Sequence, residues 1–354
     1  MNIAIILGTR PEIIKMSPII RALERENSDF FILHTGQHYS YNMDQVFFEQ
    51  LKLPQPKYNL KVGSGTHAEE TGKMMIGIER VLMEERPDIV LVEGDTNTVV
   101  AGALASVKIG IPVGHVEAGL RSFDRSMPEE INRIVADHVS ELLFAPTEIA
   151  RRNLLREGIP EEKIFVTGNT IVDAVYQNLS LAENLSFPFD DDYFLVTVHR
   201  QENVDNPARL KDIIEGLKLV REYFDIPVIY PVHPRARKRI EEHGIDTNGL
   251  ELIDPLDYLS FLRAESRAKL IFTDSGGVQE EACILRVPCV TLRYNTERPE
   301  TIEVGANVLA GTKPESILEK AKIMINARRD WMNPFGDGKA GNRIVNFITN
   351  SKKH

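Results

Sequence analysis

The sequence has little that could crosslink the chain or carry it into a membrane. Only two of its 354 residues are cysteine, Cys283 and Cys289. This number excludes a disulfide framework and a four-cysteine zinc site. Both cysteines stand among apolar residues, so we expect them to be buried and unreactive. No uncharged apolar run approaches the roughly 18–20 residues of a membrane-spanning helix.

A positive charge excess and a leader segment are also missing. Lysine plus arginine number 42 and aspartate plus glutamate 52, which gives a formal net charge of −10. No stripe of basic residues compensates, and this argues against a nucleic-acid partner. The first residues carry no positively charged leader, so we expect a cytoplasmic protein. The length predicts two domains.

Short β-branched runs alternate with amphipathic stretches along the whole chain. Most of these runs are continuously apolar, which is typical of strands buried on both faces of a parallel sheet. The predicted strands are 2–7, 30–35, 89–93, 113–116, 142–145, 164–167, 193–198, 228–231, 250–253, 270–273, 289–292 and 307–309. Six strands followed by six strands, each set interleaved with helices, predict an α/β protein with two doubly wound, Rossmann-like domains.

Helix start signals and breaks divide the chain further. Thr66 and Glu69 form a capping box that predicts a helix to about residue 84. Pro11 and Pro314 stand in the first turns of helices predicted at 11–25 and 314–326. A linker-like segment at 184–192 and a turn-rich break at 334–338 predict an N-terminal domain over 1–170 and a C-terminal domain over 171–339. A last helix begins at about residue 340.

The turn after the first strand has the character of an anion site. Gly8-Thr9-Arg10-Pro11-Glu12 follows the strand directly and opens a helix, whose N-terminus favours anions. Arg10 and Lys15 add two cations, although the same residues also fit an ordinary turn with surface charges. Neither a dinucleotide fingerprint nor a Walker A sequence is present.

A similar turn follows the strand at 270–273. Ser275, Gly276 and Gly277 would let backbone N–H groups approach a diphosphate, unless they only cap a helix. Glu281, one turn further on, is placed for both hydroxyls of a ribose. Arg298 could add a charge-assisted contact to the same phosphates.

Three carboxylates stand at or after strand ends. Asp95 and Glu117 follow neighbouring predicted strands, and Glu129 opens a helix. Carboxylates crowded at one sheet edge repel one another, so we expect at least one raised pKa suited to acid–base work. The alternatives are an N-cap role for Asp95 and a first-turn helix role for Glu129.

Two histidines end consecutive strands of the second half. His199 and His233 would both lie at the carboxyl edge of that sheet. The sequence has no His-Glu-x-x-His or cysteine–histidine spacing for zinc. A divalent ion bound by carboxylates stays open as an alternative.

The chain resembles the non-hydrolysing UDP-N-acetylglucosamine 2-epimerases over essentially its whole length. The resemblance rests on several blocks in order, starting at Gly8-Thr9-Arg10-Pro11-Glu12. The most specific blocks are Glu93-Gly94-Asp95-Thr96, Gly114-His115-Val116-Glu117-Ala118-Gly119-Leu120-Arg121, Met127-Pro128-Glu129-Glu130-Ile131-Asn132-Arg133, Thr167-Gly168-Asn169-Thr170, Thr273-Asp274-Ser275-Gly276-Gly277-Val278-Gln279-Glu280-Glu281 and Thr296-Glu297-Arg298-Pro299-Glu300.

The resemblance implies a glycosyltransferase-B-like fold with the active site in the interdomain cleft and the last helix, 340–354, packed back on the first domain. It implies reversible C2 epimerisation of UDP-N-acetylglucosamine to UDP-N-acetylmannosamine, a polysaccharide precursor, through elimination of UDP, by a homodimer that needs no cofactor and no metal. The implied catalytic residues are Asp95, Glu117, Glu129 and His199. The implied contacts to the UDP-sugar are Arg10, Lys15, His199, Phe261, Ser275, Gly276, Gly277, Glu281 and Arg298.

The sequence departs from the family at two places. Bacterial members bind a second substrate molecule as activator through a glutamine–histidine pair and the polar residues after it. Here Gln37-His38 is followed by Tyr39-Ser40-Tyr41. Bacterial members also have a polar, glutamine-containing stretch before the following helix, whereas the stretch from Lys61 to Ala68 has no glutamine. These departures argue against carrying substrate activation over to this chain. Leu256 stands where some members have a glutamine near the uracil.

Three other functions remain open at this stage. A glycosyltransferase of the same fold would need an acceptor site but not three clustered carboxylates. A non-catalytic nucleotide-sugar sensor would tolerate neutral residues at Asp95, Glu117 and Glu129. A related epimerase could act on a more decorated UDP-sugar.

Overall fold

The computed structural model describes residues 1–36, 47–183, 185, 189 and 191–350. The chain divides into two compact units. The first unit comprises Met1–Ala174 and Phe335–His354, and the second comprises Val175–Pro334. The predicted linker at 184–192 and the segment 37–41 lie wholly or mostly outside the described residues.

The first unit contains a seven-stranded sheet in which every strand is parallel to its neighbours. The strand order is β3-β2-β1-β4-β5-β6-β7. Its strands are β1 Asn2–Leu7, β2 Asp29–His34, β3 Tyr58–Asn59, β4 Ile89–Glu93, β5 Val113–Val116, β6 Leu142–Ala145 and β7 Ile164–Val166. Its helices are α1 Arg10–Arg25, α2 His67–Glu85, α3 Asn97–Lys108, α4 Pro128–Val139, α5 Glu148–Arg156 and the start of α6 Thr170–Glu183.

The second unit repeats this topology with six parallel strands in the order β10-β9-β8-β11-β12-β13. The strands are β8 Phe194–Thr197, β9 Val228–Pro231, β10 Glu251–Ile253, β11 Leu270–Thr273, β12 Cys289–Thr291 and β13 Asn307–Leu309. The helices are α7 Gln201–Val204, α8 Pro207–Phe224, α9 Pro234–Glu242, α10 Tyr258–Arg267, α11 Gly276–Ile284, α12 Pro299–Glu303 and α13 Pro314–Met324.

Each sheet is covered by helices that bury its apolar strands. In the first unit, Ile6 and Val92 of the sheet share a buried cluster with Met74 and Ile78 of α2. In the second unit, Phe272 lies in a cluster with residues of α8 and α13. The continuous apolar runs are therefore explained by burial on both faces.

The predicted α/β class with two doubly wound sheets is confirmed, and all twelve predicted strands form within one residue of their expected ends. One strand was missed. β3 has two residues, Tyr58 and Asn59, and lies at the sheet edge beside β2. Its side chains are only half-buried, so its sequence lacks the apolar run by which the other strands were found.

The helix signals were also read correctly. Thr66 Oγ1 accepts a hydrogen bond from Glu69 N at 3.3 Å, and α2 follows it. The last helix, α14 Ala340–Asn350, belongs to the first unit and packs against α1. Asp173 accepts hydrogen bonds from the first two backbone N–H groups of α14, at 3.1 and 3.0 Å.

The two cysteines are buried and free, as predicted. Burial raises the pKa of the Cys283 thiol to about 12 and also raises the pKa of Cys289. Within the part of the chain that the structure describes, no helix is long and apolar enough to cross a membrane.

Candidate active site

Each of the two sheets reverses its strand order at one point, and candidate residues follow the two strands that meet there. The reversal lies between β1 and β4 in the first unit and between β8 and β11 in the second. In doubly wound sheets, ligands bind at this point, beyond the carboxyl ends of the strands. Gly8 and Asp95 follow β1 and β4, and His199 and Asp274 follow β8 and β11.

The N-terminus of α1 is occupied by a carboxylate of its own helix. Glu12 Oε2 accepts hydrogen bonds from the backbone N–H groups of Gly8 at 2.6 Å and Thr9 at 2.8 Å. The hydroxyl of Thr96 donates to the other oxygen. Burial raises the pKa of Glu12 to about 7, although these hydrogen bonds oppose the shift. The sequence predicted the N–H groups for a phosphate, whereas the structure shows them hydrogen bonded to Glu12.

The two predicted cations of this turn lie in different surroundings. Arg10 is exposed, and its guanidinium lies 5.6 Å from the centre of the Phe47 ring. Lys15 is buried and forms an ion pair with Glu117, which follows β5. Its Nζ is also 3.6 Å from Oε1 of Glu93, the last residue of β4. Lys15 therefore neutralises carboxylates of the chain itself.

The raised pKa at this edge of the sheet belongs to Glu93, which was not among the three carboxylates for which the sequence predicted one. Burial raises the pKa of Glu93 well above its usual range. The charge of Lys15 opposes this shift, and the charges of Glu117, Glu12 and Asp95 increase it. Glu93 had no predicted role. Its position at the end of a buried strand was a usable signal, because glutamate is seldom buried without a partner.

Asp95 is held by an arginine of α4. The Arg133 guanidinium forms ion pairs with Asp95 and with Glu130, the latter at 2.8 Å. Thr96 is the N-cap of α3, with its Oγ1 accepting from Thr98 N at 3.2 Å. The alternative N-cap role for Asp95 is therefore wrong, and its carboxylate remains a candidate for chemistry.

Glu117 is fixed by both backbone and side-chain contacts. Its φ of 68° lies in the left-handed region, which costs conformational energy for a residue with a side chain. Asn169 Nδ2 lies 3.3 Å from Glu117 Oε2 and donates to it. Strained residues with fully determined side chains are frequent at functional sites.

Glu129 lies in the first turn of α4, as the first-turn alternative predicted. Its neighbour Glu130 accepts hydrogen bonds from Ser122 N and Phe123 N, each at 2.9 Å. Glu129 itself is half-buried, and no hydrogen bond or ion pair forms on its side chain within the described residues. The structure therefore places Asp95 with Arg133 and Glu130, and Glu117 with Lys15 and Glu93, and it leaves Glu129 outside both sets.

In the second unit, a buried aspartate organises the end of β8. Asp274 accepts hydrogen bonds from the backbone N–H groups of His199 at 3.1 Å and Arg200 at 3.0 Å, and from Asn203 Nδ2 at 3.1 Å. The Nδ1 atom of His199 is 3.3 Å from Asp274 Oδ1. Although burial opposes it, these contacts hold the pKa of Asp274 below its usual range. The ionised Asp274 thereby orients the half-exposed imidazole of His199.

The N-terminus of α11 carries the small residues that the sequence singled out. Ser275 is the N-cap, and α11 begins with Gly276 and Gly277. A Cβ at Gly276 would overlap Glu297 Oε1. Glu297 cannot retreat easily, because its carboxylate pairs with Arg200 at 3.1 Å and Arg293 at 3.0 Å.

We expect Gly276→Ala to destabilise the protein by about 1–3 kcal/mol, the usual cost of overpacking. Gly277→Ala is the matched control, since a Cβ there meets only Ser275 Oγ at 3.9 Å. The control should be neutral or stabilising by up to about 1 kcal/mol, because alanine favours helix. Urea unfolding of both variants measures the difference. Equal stability of the two variants would contradict the predicted overlap.

The other predicted contacts of the second unit are placed as follows. Arg298 is buried, and its Nε lies 2.6 Å from Glu280 Oε1, so its charge is already paired within the unit. Phe261 on α10 is half-buried against the apolar cluster under that helix. Glu281 on α11 is almost fully buried. His233 is the N-cap of α9 and accepts from Arg235 N at 3.2 Å, which gives it a structural role.

Among the residues the structure describes, no group of three histidine, cysteine, aspartate or glutamate side chains is placed to hold a metal ion. The carboxylates of the first unit instead surround Lys15 and Arg133. Such an arrangement can hold protons in a buried site and exchange them with a bound substrate.

Several known proteins similar to this chain are 2-epimerases of UDP-sugars. The model of the UDP-N-acetylglucosamine 2-epimerase family matches residues 21–349. The UDP-N-acetylglucosamine 2-epimerase of Methanocaldococcus jannaschii is 60% identical, with 99% of this chain and 100% of that protein covered. Its crystal structure in complex with UDP-GlcNAc and UDP has a TM-score of 0.94 and covers 99% of both chains. The UDP-2,3-diacetamido-2,3-dideoxy-D-glucuronate 2-epimerase of Pseudomonas aeruginosa is 42% identical, covering 98% of this chain and 99% of that protein.

Proposed function

This chain belongs to the UDP-N-acetylglucosamine 2-epimerase family, a family of isomerases, and we propose that it interconverts UDP-N-acetylglucosamine and UDP-N-acetylmannosamine. The observation that carries this proposal is the set of carboxylates at the strand-order reversal of the first unit, where Glu93 and Glu117 share the buried Lys15. A protein that only binds a nucleotide sugar has no use for several buried acids, since burying them is costly.

Inversion at C2 requires the removal of a hydrogen that is not acidic. No carbonyl group is attached to C2 of the sugar, so direct removal of its proton would leave an unstabilised carbanion. We propose anti elimination: one carboxylate takes the C2 proton while the C1–O bond to the diphosphate breaks. The products are 2-acetamidoglucal and UDP, which both stay bound. UDP then adds back to C1 as a proton is delivered to the opposite face of C2.

Asp95, Glu117 and Glu129 are proposed to move the two protons. Asp95 and Glu117 are ion-paired, to Arg133 and Lys15 respectively, and are proposed to act as bases. Burial raises the pKa of Glu93, which lies beside Lys15 as Glu117 does, and Glu93 is proposed to hold a proton there. A basic carboxylate beside a protonated one is the pairing that proton removal and return require.

The leaving diphosphate is proposed to bind at the N-terminus of α11, with Ser275, Gly276 and Gly277 facing it and His199 adding a donor. A helix N-terminus and charged donors stabilise the negative charge that develops on the leaving group. Arg298, which pairs with Glu280, is proposed as a further contact to the diphosphate. Lys15 is proposed to act through Glu117, with which it forms an ion pair. Glu281 is proposed to bind the ribose and Phe261 to contact the uracil.

The decisive experiment follows the hydrogen at C2. Incubating UDP-N-acetylglucosamine with the protein in deuterated water is expected to give UDP-N-acetylmannosamine that carries deuterium at C2, because the proton is lost to a carboxyl group that exchanges with solvent. NMR and mass spectrometry detect the label. Added NAD or a chelator should leave the rate unchanged, since the proposed elimination uses neither a hydride acceptor nor a Lewis acid.

Other outcomes would identify other reactions. A product with protium at C2 would contradict the elimination and favour internal hydride transfer. Consumption of the UDP-sugar only when an acceptor is supplied would favour a glycosyltransferase. UDP binding without turnover of UDP-N-acetylglucosamine would direct the search to another sugar.

A second substrate is favoured by one comparison. The Pseudomonas aeruginosa relative, whose name specifies a 2,3-diacetamido glucuronate sugar, is 42% identical over almost the whole chain. Direct competition between that UDP-sugar and UDP-N-acetylglucosamine tests the choice. The plain sugar is expected to have the higher kcat/KM, in line with the higher identity to the Methanocaldococcus jannaschii enzyme.

A further inference from the structure

A buried histidine in the middle of the first sheet contacts the turn that carries Asp95, and none of the roles above uses it. His115 lies on β5, in register with Val92 of β4 and Leu143 of β6. Its side chain is fully buried. Burying a polar side chain is costly unless its polar atoms have partners, and both ring nitrogens of His115 have one.

One partner of the ring is an ionised carboxylate. Nδ1 of His115 lies 2.7 Å from Oδ1 of Asp137 on α4. Oδ2 of Asp137 accepts a hydrogen bond from Gly119 N at 3.1 Å and lies 2.7 Å from the guanidinium of Arg121. Although burial opposes it, the charges and hydrogen bonds of His115 and Arg121 hold the pKa of Asp137 below its usual range. Asp137 is therefore an acceptor on both of its oxygens.

The other partner of the ring can only accept as well. Nε2 of His115 lies 2.8 Å from the carbonyl oxygen of Gly94. A neutral imidazole has one N–H group, whereas an imidazolium has two. Because neither a carbonyl oxygen nor an ionised carboxylate can donate, the geometry requires a hydrogen on both ring nitrogens. His115 is therefore a buried cation.

The charges around His115 balance when the ring is an imidazolium. Arg121 also donates to both oxygens of Glu157, at 2.7 and 2.6 Å. The carboxylates of Asp137 and Glu157 thus share one guanidinium, and the imidazolium supplies the second positive charge. His138 is exposed, lies 4.0 Å from Glu157 and donates to a backbone oxygen of its own helix.

Through Nε2 the ring holds the turn of Asp95. Gly94 directly precedes Asp95, and its φ of 86° ends the extended backbone of β4. Its N–H donates to Val116 O at 3.2 Å and its carbonyl oxygen accepts from His115, so both polar groups of Gly94 are bound to β5. Asn132 donates to the carbonyl oxygen of Asp95 at 2.9 Å. The peptide groups on both sides of Asp95 are therefore fixed.

Through Asp137 the same pair holds the turn of Glu117. Gly119, whose N–H donates to Asp137, follows Glu117 by two residues. Its carbonyl oxygen accepts from Asn153 Nδ2 at 3.0 Å. One charged pair thus contacts two turns that follow different strands, β4 and β5, and that carry the two proposed bases.

We propose that His115 is the positioning residue of the acid–base site: as an imidazolium paired with Asp137, it fixes the peptide group between Gly94 and Asp95 and so places Asp95 relative to Glu117. This inference rests on the proposed function, because it takes Asp95 and Glu117 as the groups that move the protons. His115 is enclosed and acts through the backbone of the Asp95 turn.

Two variants separate the contacts of the ring. The amide nitrogen of asparagine lies near the place of Nδ1 and that of glutamine near the place of Nε2. His115→Asn keeps the donor to Asp137 but loses the donor to Gly94, so kcat should fall by about ten- to hundredfold, the cost of a misplaced catalytic group. His115→Gln keeps the donor to Gly94 and should retain kcat within about fivefold, on the same reasoning.

The affinity for UDP should stay within about twofold of the wild type in both variants, since a loss confined to kcat identifies an effect on the chemical step. Steady-state kinetics gives kcat and KM, and titration calorimetry with UDP counts the folded sites of each variant. Val113→Ala is the matched control, because Val113 is buried on the same strand and carries no polar group. It should be less stable and keep the wild-type kcat per UDP-binding site.

A kcat in His115→Asn equal to that of the control, or above that of His115→Gln, overturns the inference while turnover by the wild type still supports the proposed function. Absence of turnover by the wild type overturns both.

Nitrogen NMR tests the charge of the ring without substrate. In protein labelled with nitrogen-15 in its histidines, the signals of His115 are those missing from His115→Gln. At pH 8, where an ordinary histidine is mostly neutral, each ring nitrogen of His115 is expected to carry a directly bonded hydrogen. A ring with a single N–H would overturn the assignment of a cation, whatever the kinetics are.

Discussion

Replacing the proposed acid–base groups one at a time, as Asp95→Asn, Glu117→Gln and Glu129→Gln, is expected to lower kcat by about 10²–10⁴-fold each, the usual contribution of one acid–base group. The amide variants keep the shape of the side chain but cannot take up or return a proton. Steady-state kinetics with UDP-N-acetylglucosamine measures the loss. UDP affinity should change little, because the proposed diphosphate contacts of α11 are untouched.

A control variant and a measurement of stability separate the loss of a proton-transfer group from damage to the fold. Glu148→Gln alters an exposed first-turn acid of α5 and should have wild-type kcat. Glu117→Gln also removes the negative charge that pairs with Lys15. The free energy of unfolding of this variant must therefore be measured as well as its rate. Near-normal turnover in all three acid variants would remove the proposed mechanism, and lost UDP binding would show that the variants damaged the fold.

Replacing Asp274 with alanine is expected to lower the free energy of unfolding by about 1–3 kcal/mol, the cost of leaving a buried hydrogen-bond donor without its partner. The variant removes the acceptor of the His199 and Arg200 backbone N–H groups and of the Asn203 amide. Urea unfolding at pH 7 measures it. Asp205→Ala is the control, since Asp205 pairs with Arg235 and Arg239 at the surface and should cost less than about 1 kcal/mol.

The stabilisation of the fold by Asp274 should also decrease in acid. The pKa of Asp274 is lower in the folded protein than in the unfolded chain. The stabilisation is therefore fully present above the unfolded-state pKa of about 3.9 and is lost as the pH falls through the folded value. The gap between wild type and Asp274→Ala should narrow as the pH falls below about 3.9. A gap that is constant down to acid pH would contradict the lowered pKa.

Much of the fold could be predicted because its determinants are local. A strand such as β4, with the sequence Ile-Val-Leu-Val-Glu, shows by its continuous apolar run that both of its faces are buried. The capping box at Thr66 marks the start of α2 within four residues. The two-residue β3 was missed because only its pairing with β2, which is not local, makes it a strand.

The sequence by itself determined the two parallel sheets, the turns that end β1 and β11, and the family blocks that carry the candidate acids. The tertiary structure alone decided which charges meet. Lys15 and Glu117 are 102 residues apart, and their ion pair exists because α1 and the end of β5 pack together. It also decided protonation: burial, which no local pattern measures, raises the pKa of Glu12, Glu93 and Glu265. Residue types are read along the chain, whereas the cost of a charge depends on the groups that folding places around it and on the water that folding removes.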